Sequence, residues 1–593
     1  MKDTTRSMRI SLPALTAALA LVLAAVPAAG DEIRDGRRFL EGGQLDRAYA
    51  AFEKAASQGK AEGQVGMGDV RLRQGRYDEA LAAYRAAQQL DGALASAFYG
   101  EGEAYRRQDD CAKAVPLYRK ATDLDRKYPV AQLALGRCLI ELGKHGEATQ
   151  ALSGGLKWGP EWLPRFLVAL GDAELARDSL RDAGVYYTRA REEAPNDPVP
   201  HAALGNFYVA RGIPGLAVPE YQAAVDLDTS SVEFRHGLGQ ALFYDKRYSD
   251  ALREFEWVVQ RDPAYAPGLL SLGNLYYLSG PADPKRYQDA RDPLARYVQL
   301  KPRDAKGWSL LGRTQYFLEE KDAAFESLNE AIELGEKSKE TFTVMGRLQT
   351  ERKEWDEAIA MFKKGDPEER DLLMMGQIYV IQGMPERAES LYVSILEADS
   401  TRRVAWFALN QLGKLKFRLK DYPGTVAVLE RRNALDPNSG EAYYYIGLSY
   451  KEMKQYPEAL AALRRAAGLE PDKADRQFWL GIMYAQLDST RQAERAFARS
   501  VEFDSTSASA AVAYRQLGFY ALLDKRYSEA TRLLERSVEL NESDVQAWVW
   551  LAQGYQNAGN RSKALDGYER ALQLDPRQPD ALKGKQTLAG GGR

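Results

Sequence analysis

The sequence contains very little histidine and cysteine, with 3 His and 2 Cys among 593 residues. So few residues of these types leave little material for a metal site or for a catalytic centre based on histidine. Net charge is also almost absent, because 81 Lys and Arg are balanced by 84 Asp and Glu. A chain this close to neutral gives no reason to expect attraction to nucleic acid or to an anionic membrane. We therefore expect no nucleic-acid partner, no metal and no cofactor.

Long apolar runs are absent after residue 30, so no later segment is expected to span a membrane. Residues 1–30 differ: three basic residues precede an apolar run over 12–26, and small residues follow at 28–30. This order is typical of a secretory signal peptide, here with cleavage after Ala28 or Gly30. No Cys lies near these positions, which argues against a lipoprotein. We expect a periplasmic or secreted protein; the alternative is an uncleaved N-terminal helix that anchors the chain in the membrane.

A glycine recurs along the rest of the chain, and nine of the fifteen intervals between successive occurrences are 34 residues long. The series is Gly36, Gly68, Gly102, Gly136, Gly171, Gly205, Gly239, Gly273, Gly312, Gly346, Gly376, Gly413, Gly447, Gly481 and Gly518, with Ala552 in the last place. Such a fixed period indicates a repeat architecture.

Other residues keep fixed offsets from this glycine. A small residue such as Ala80 follows twelve positions later, and an aromatic residue or Leu, such as Tyr84, follows sixteen positions later. A large side chain on one helix requires a hole on its neighbour, which Gly or Ala provides. Turn sequences such as 74–77 and 245–248 divide each unit into two helices, and a closing Pro ends many units. The pattern predicts stacked antiparallel helix pairs.

This spacing resembles the tetratricopeptide repeat family over residues 33–576. Two units carry the resemblance best, through Trp308, Leu311, Gly312, Ala324, Leu328 and Ala331, and through Trp548, Leu551, Tyr555, Ala564, Tyr568, Ala571 and Pro576. The resemblance implies an all-α, right-handed superhelical solenoid of about sixteen helix pairs. It also implies a concave groove lined by the first helix of each pair, and binding of proteins or peptides there.

Departures from the period predict where the array is divided. The unit near Asp366 is clipped to a 30-residue interval, and the turn over 279–284 carries a five-residue insertion. We expect one sub-array of about ten repeats over 31–366 and a second of about six over 367–576. Residues 577–593 are expected to form a capping helix and a frayed tail, because the end of a solenoid needs a polar cover.

The residue after each glycine is predicted to face the groove. These residues are charged in the first units, rich in amides in the middle and apolar near the end. The candidate partner-binding residues are Asn206, Gln240, Asn274, Arg313, Arg347, Lys414, Tyr444, Phe478, Ile482 and Phe519. Family members that grip C-terminal carboxylates use a Lys/Asn clamp, which Asn410, Lys414 and Arg418 match only in part.

Two of these expectations have structural alternatives. We expect Tyr444, Phe478, Ile482 and Phe519 to be accessible to solvent, whereas the alternative buries them between repeats. His236, three residues before Gly239, is predicted either to contact a partner or to be a partly exposed residue without a role.

The only two cysteines, Cys111 and Cys138, fall on helices that are adjacent and antiparallel in this arrangement. In an oxidising compartment they can form a disulfide. The alternative is two small buried thiols.

Three functions remain open at this point. The first is a scaffold or adaptor of the bacterial envelope that binds protein partners along the groove. The second is a periplasmic scaffold for polysaccharide export or secretion machinery, for which Asn206, Gln240 and Asn274 together with nearby tyrosines suit sugar contacts. The third is an enzyme, which the repeats leave without a catalytic domain, so we expect no enzymatic activity.

Overall fold

The computed structural model describes residues 31–398 and 403–590, and all regular structure in these two segments is helical. The predicted signal peptide at 1–30 and the last three residues of the predicted tail lie outside them. The described segments contain sixteen consecutive antiparallel helix pairs followed by one further helix. The prediction of an all-α repeat array is confirmed. No helix in these segments combines the length and the apolar character needed to cross a membrane.

The chain divides into two compact units, of which unit 1 ends at Glu336. Its described part holds nine helix pairs. In chain order these helices are α1 (Asp31–Glu41), α2 (Leu45–Ser57), α3 (Ala61–Arg73), α4 (Tyr77–Leu90), α5 (Ala95–Arg106), α6 (Cys111–Leu124), α7 (Pro129–Glu141), α8 (His145–Ser153), α9 (Leu163–Ala176), α10 (Leu180–Glu193), α11 (Pro198–Ala210), α12 (Pro214–Leu227), α13 (Val232–Tyr244), α14 (Tyr248–Arg261), α15 (Ala266–Ser279), α16 (Lys285–Leu300), α17 (Ala305–Phe317) and α18 (Lys321–Glu333). A short 3-10 helix, Gly154–Lys157, follows α8.

Unit 2 begins at Lys337 and holds seven helix pairs and a final helix. These are α19 (Lys339–Glu351), α20 (Trp355–Lys364), α21 (Glu369–Ile381), α22 (Pro385–Ala398), α23 (Arg403–Arg418), α24 (Tyr422–Leu435), α25 (Gly440–Glu452), α26 (Tyr456–Leu469), α27 (Ala474–Gln486), α28 (Thr490–Phe503), α29 (Ala508–Leu523), α30 (Tyr527–Leu540), α31 (Val545–Asn557), α32 (Arg561–Leu574) and α33 (Pro579–Gly590). The last helix covers the final pair, as expected for a cap within 577–593.

The division between the units falls after Glu336, one helix pair before the seam expected near Asp366. The clipped repeat is nevertheless visible, because α20 has only ten residues where most second helices have fourteen. A Cβ on Gly365, which ends α20, would lie 3.1 Å from the carbonyl oxygen of Lys339 in the same pair. The shortened helix thus packs back tightly on its own partner. The two-part organisation into 31–366 and 367–576 remains a prediction.

The repeat glycines make room for the large residue sixteen positions later. Tyr84 has no exposed surface, and a Cβ on Gly68 would lie 2.6 Å from its Cε1 atom. A Cβ on Gly100, in the next repeat, would lie 2.3 Å from the same atom. Each ring is therefore held between the glycine of its own repeat and a small residue of the following one, which explains why the pattern recurs.

The turn inside each helix pair contains one residue in the left-handed region, which ends the first helix. Gly75 (φ 74°) and Lys246 (φ 64°) occupy this place in the two turns read from the sequence. Among the described pairs the exception is α15–α16, where the insertion over 280–284 forms a longer connection.

Candidate functional site

The residues that directly follow the repeat glycines form a series on the first helices, called here the first-helix row. In unit 1 the row comprises Arg37, Asp69, Glu103, Arg137, Asp172, Asn206, Gln240, Asn274 and Arg313. In unit 2 it comprises Arg347, Gln377, Lys414, Leu448, Ile482, Phe519 and Gln553. Most of these side chains are half-buried; Glu103 and Leu448 are buried and Gln377 is exposed. Most side chains of the row are thus accessible to solvent on one side and packed against the protein on the other.

In four repeats of unit 1, a tyrosine of the second helix donates its hydroxyl hydrogen to the row residue fifteen positions before it. Tyr84 donates to Asp69 at 2.7 Å, and Tyr118 donates to Glu103 at 2.7 Å. The other two pairs are Tyr187 with Asp172, at 2.7 Å, and Tyr221 with Asn206. A hydrogen bond to a carboxylate is stronger than one between neutral groups, so these phenols fix the orientation of the row acids.

The identity of the second-helix residue follows the charge of the row residue. Every acid of the row is paired with Tyr, whereas every cation is paired with Phe or Leu. The cationic pairs are Arg37 with Phe52, Arg137 with Leu152, Arg313 with Leu328, Arg347 with Phe362, and Lys414 with Leu429. A phenol can donate a hydrogen bond to a carboxylate, which the side chains of Phe and Leu cannot do. The correlation can be seen in the sequence alone. Its physical reason becomes clear only when the structure shows that the row residue contacts the second-helix residue fifteen positions later.

Burial shifts the ionisation of the charged row residues in unit 1. It raises the pKa of Asp69 to about 6, although the Tyr84 hydrogen bond and nearby Arg73 and Arg37 oppose the shift. Burial likewise raises the pKa of Asp172, against the effects of Tyr187 and Arg137. For Arg137, burial lowers the pKa of the guanidinium, and Asp172 is the strongest opposing charge. An opposite charge close to any of these residues would therefore stabilise its ionised form.

Glu103 differs from the other acids of the row because its charge is neutralised internally. Arg106, one turn along α5, donates from Nε at 3.1 Å and from Nη2 at 2.9 Å to the two carboxylate oxygens. Arg137 has no equivalent partner within residues 31–398 and 403–590, where no hydrogen bond or ion pair of its guanidinium is found.

The middle of the row in unit 1 carries two amides, Gln240 and Asn274, whose side chains form no hydrogen bond with any other residue that the structure describes. The ends of their helices expose apolar groups, Tyr244 with 52% and Leu278 with 52% of their surface accessible. The third predicted residue of this region, Arg313, donates from Nη2 to the hydroxyl of Tyr277 at 2.8 Å. The structure thus brings amides and accessible aromatic rings together on α13, α15 and α17.

The predicted cationic residues of unit 2 are engaged by acids. Arg347 lies 3.2 Å from the carboxylate of Asp371, and Lys414 lies 2.5 Å from that of Glu441. The exposed Arg418 and the half-buried Asn410 complete the partial clamp expected from the sequence. Lys414 already pairs with a carboxylate of the chain itself. The partial clamp is therefore not arranged to bind the C-terminal carboxylate of a partner.

Three of the four predicted apolar residues in unit 2 are half-buried. The Phe519 ring stacks on the Trp550 ring with centroids 4.4 Å apart and planes 24° apart. The Arg476 guanidinium lies 3.9 Å from the centre of the Tyr444 ring. Ile482 lies beside these first-helix aromatics, against the cluster that contains Met483 and Leu480. These residues keep part of their surface available on α25, α27 and α29.

The expectation that Phe478 is accessible is wrong. Only 8% of its surface is exposed, and its ring packs against Phe497 at 6.0 Å and Trp479 at 5.4 Å. Phe478 lies one turn before Gly481 on α27, and Phe497 is on α28, the second helix of the same pair. Phe478 therefore belongs to the core, and it is removed from the candidate site.

His236 occupies the same position of its repeat and is also buried, at 7% exposure. Its Nε2 atom lies 2.9 Å from the Ser271 hydroxyl, and burial lowers the pKa of the imidazole to about 4. Neither the contact role nor the partly exposed residue proposed from the sequence fits this environment.

Cys111 and Cys138 form a disulfide in the structure, with their Cα atoms 5.3 Å apart. Cys111 begins α6 and Cys138 lies on α7, so the bridge joins the second helix of one pair to the first helix of the next. Both residues are buried within the cluster that also contains Tyr118 and Leu139. No group of three or more potential metal ligands occurs in the described residues. The absence of enzymatic activity remains a prediction.

Models of the tetratricopeptide repeat family match this chain in several places. The matched residues are 59–127, 105–172, 236–305, 444–508 and 545–578. Each match covers stacked helix pairs of the kind described above. The chain contains tetratricopeptide repeats. Repeats of this family generally mediate interactions between proteins, and their typical members are scaffolds and adaptors rather than catalysts.

The relatives of this tetratricopeptide repeat chain share only part of their length with it. Tetratricopeptide repeat protein 37 of Xenopus laevis is 25% identical over 40% of this chain and 16% of its own length. Hsp70-Hsp90 organizing protein 3 of Arabidopsis thaliana is 24% identical over 41% of this chain and 43% of its own. Photosystem I assembly protein Ycf3 of Prochlorococcus marinus is 39% identical over 12% of this chain and 42% of its own. The chain thus spans less than half the length of each of these curated relatives.

Solved structures of repeat proteins also resemble the chain. The Cut9 and Hcn1 tetramer of the APC/C has 16% identity and a TM-score of 0.33, with 77% of this chain and 96% of that one covered. The Naa15/Naa10 complex bound to HypK-THB has 15% identity and a TM-score of 0.28, with 94% and 96% covered.

Proposed function

We propose that this protein is a scaffold or adaptor that binds protein or peptide partners along the first-helix faces of its two units. The observation that carries the proposal is the first-helix row itself. Its side chains are charged in the first five repeats and amides in the next three, then include the cations Arg313, Arg347 and Lys414, and are apolar from Leu448 to Phe519. Most are half-buried yet reachable from solvent. Such varied chemistry on a rigid helical support suits recognition of extended or helical segments in one direction.

The proposal places this scaffold in the envelope of a bacterium, in the periplasm or as a secreted protein. Residues 1–30 have the order of a signal peptide. The disulfide between Cys111 and Cys138 favours an oxidising compartment as well. Mass spectrometry of the protein recovered from cells tests the location: a new N-terminus at Ala29 or Asp31 supports export with cleavage. An intact Met1 in the membrane fraction would support the anchored alternative.

Site-specific photo-crosslinking tests the binding face. A photoreactive residue is placed at Gln240 in unit 1 or at Ile482 in unit 2, and crosslinked proteins are isolated from envelope extract. The matched controls are Arg181 and Arg499, which are exposed on the second helices α10 and α28. We expect discrete crosslinked partners from the first-helix positions only. Crosslinks of equal strength from the second-helix controls would contradict binding along the row.

A scaffold for polysaccharide export or secretion machinery is the second candidate. The amides of Gln240 and Asn274 favour it, because neither has a hydrogen-bond partner among the described residues, and Gln240 lies one turn before the accessible Tyr244 on α13. Amides can bond sugar hydroxyls, and aromatic faces can pack against sugar rings. Soluble glycan fragments that protect Gln240 from crosslinking to protein would favour this candidate. If added protein extract competes with crosslinking at Gln240 and glycan fragments do not, the result would favour the scaffold for protein partners.

A further inference from the structure

Four consecutive repeats of unit 1 carry an ordered set of charges in the first-helix row. They are provided by Asp69 on α3, Glu103 on α5, Arg137 on α7 and Asp172 on α9. Glu103 is buried and bonded to Arg106, so it offers no free charge. Along the four first helices, the row is therefore negative at Asp69, neutral on α5, positive at Arg137 and negative at Asp172.

Within the described residues, the Arg137 guanidinium makes no hydrogen bond, and the second-helix residue of its repeat is Leu152, which has no polar atom. Arg165 on α9 lies close enough to Arg137 to affect its ionisation, and its Nη1 atom is buried without a hydrogen-bond partner. The Arg137 side chain is half-buried, so its guanidinium is partly withdrawn from water and is stabilised when an acid pairs with it. A carboxylate is the group that satisfies a guanidinium best, through two parallel hydrogen bonds.

The spacing of these charges matches an extended polypeptide. The first helices of successive repeats are neighbours, and packed helices lie about 8–10 Å apart. An extended chain advances about 3.3 Å per residue, so one repeat corresponds to about three residues of a bound segment. Arg137 and Asp172 are one repeat apart, whereas Asp69 and Arg137 are two repeats apart.

We infer that this part of unit 1 binds an extended polypeptide segment in which an acidic side chain pairs with Arg137 and basic side chains pair with Asp172 and Asp69. The inference rests on the proposed function and specifies the partner of one face. The acidic residue of the partner is flanked by a basic residue about three positions away on one side and about six on the other. A uniformly anionic polymer fits poorly, because Asp69 and Asp172 would repel it on both sides of Arg137.

Selection from a random twelve-residue peptide library displayed on phage tests this charge order. The bait is the chain without residues 1–30, immobilised through its C-terminus. We expect enrichment of peptides with one acidic residue between two basic ones at the stated spacing. Binding of these peptides to the Arg137→Gln variant should fall at least about tenfold, since an uncompensated charge remains in the complex. Arg181→Gln is the matched control, because Arg181 is exposed on the second helix α10.

Two further variants keep the test decisive. Asp172→Asn should remove only the preference for the nearer basic residue, and Asp69→Asn only that for the farther one. Enriched peptides without a charge order, or with one that Arg137→Gln leaves unchanged, would overturn the inference while leaving protein binding intact. Absence of any enrichment over an empty surface would contradict the proposed function itself. Thermal melts of each variant check that the fold is retained; Asn keeps an acceptor oxygen for the hydroxyls of Tyr84 and Tyr187.

Discussion

The first-helix rows of the two units have the same glycine register but opposite chemistry. In unit 1 three acids of the row are held by tyrosine hydroxyls, and Arg137 has no bonded partner. In unit 2 the cations Arg347 and Lys414 are paired with acids, and the row then becomes apolar up to Phe519. The large second-helix residue differs as well: it is Tyr in four of the nine repeats of unit 1 and in two of the seven repeats of unit 2. The surface of a repeat is therefore set partly by a residue in its core.

The largest expected effect separates the two kinds of aromatic residue in unit 2. Phe478→Ala should lower the free energy of unfolding by about 3–5 kcal/mol, because the buried ring leaves a cavity beside Phe497. Phe519→Ala should cost only about 1 kcal/mol, the contribution of its stacked contact with Trp550. Urea unfolding followed by circular dichroism measures both. Equal costs for the two variants would show that Phe519 is also a core residue.

The disulfide should stabilise unit 1 alone. Replacement of Cys111 and Cys138 together by Ala should lower its stability by about 3 kcal/mol, because the bridge closes a loop over a sequence separation of 27. The melting transition of unit 2 should remain unchanged. The control is a reducing agent, which should destabilise the natural protein and have no effect on the double variant. Two free thiols in protein exported to an oxidising compartment would refute the bridge.

The stability of unit 1 should depend on pH because of the Asp69 carboxyl group. Its pKa is about 6 in the folded chain and ordinarily 3.8, so the folded state holds the proton more tightly. Stability should therefore fall as the pH rises from about 4 to 6, by up to about 3 kcal/mol. In Asp69→Asn this part of the pH dependence should disappear, and the variant should be more stable than the natural protein at pH 7. Asp78→Asn, at an exposed site on α4, is the control, and the same pH profile in both variants would contradict the assignment.

The smallest expected effect tests the tyrosine hydroxyls directly. Tyr187→Phe removes the hydroxyl that donates to the Asp172 carboxylate and should cost about 2 kcal/mol. Tyr392→Phe, at the same repeat position in unit 2, should be neutral or slightly stabilising, because its buried hydroxyl has no hydrogen-bond partner among the residues that the structure describes. Thermal melts of the two variants give the comparison. A similar loss in both would mean that the hydroxyls act through packing and not through the row.

The sequence was sufficient to predict the helix pairs, their turns and the cap. Glycine and the large residue sixteen positions later have to touch in any such stack, so their spacing carries the fold. The accessible or buried state of individual residues could be predicted less well. Phe478 and Tyr444 share one repeat position, yet one is buried and the other is half-buried, because their burial depends on the neighbouring helices. The bond between Tyr187 and Asp172 also required the structure, since it joins two helices.

The ring held between two small residues has a consequence for how such an array can change. A leucine or phenylalanine fits the same space as tyrosine, so the core tolerates either while the hydroxyl alone reaches the row. Two positions in one repeat, such as Arg137 and Leu152, can therefore be substituted together as a pair. Replacing them together by Asp and Tyr would invert the local charge and supply its hydrogen-bond donor in the same step. Specificity can thus be rewritten one repeat at a time, without redesign of the scaffold.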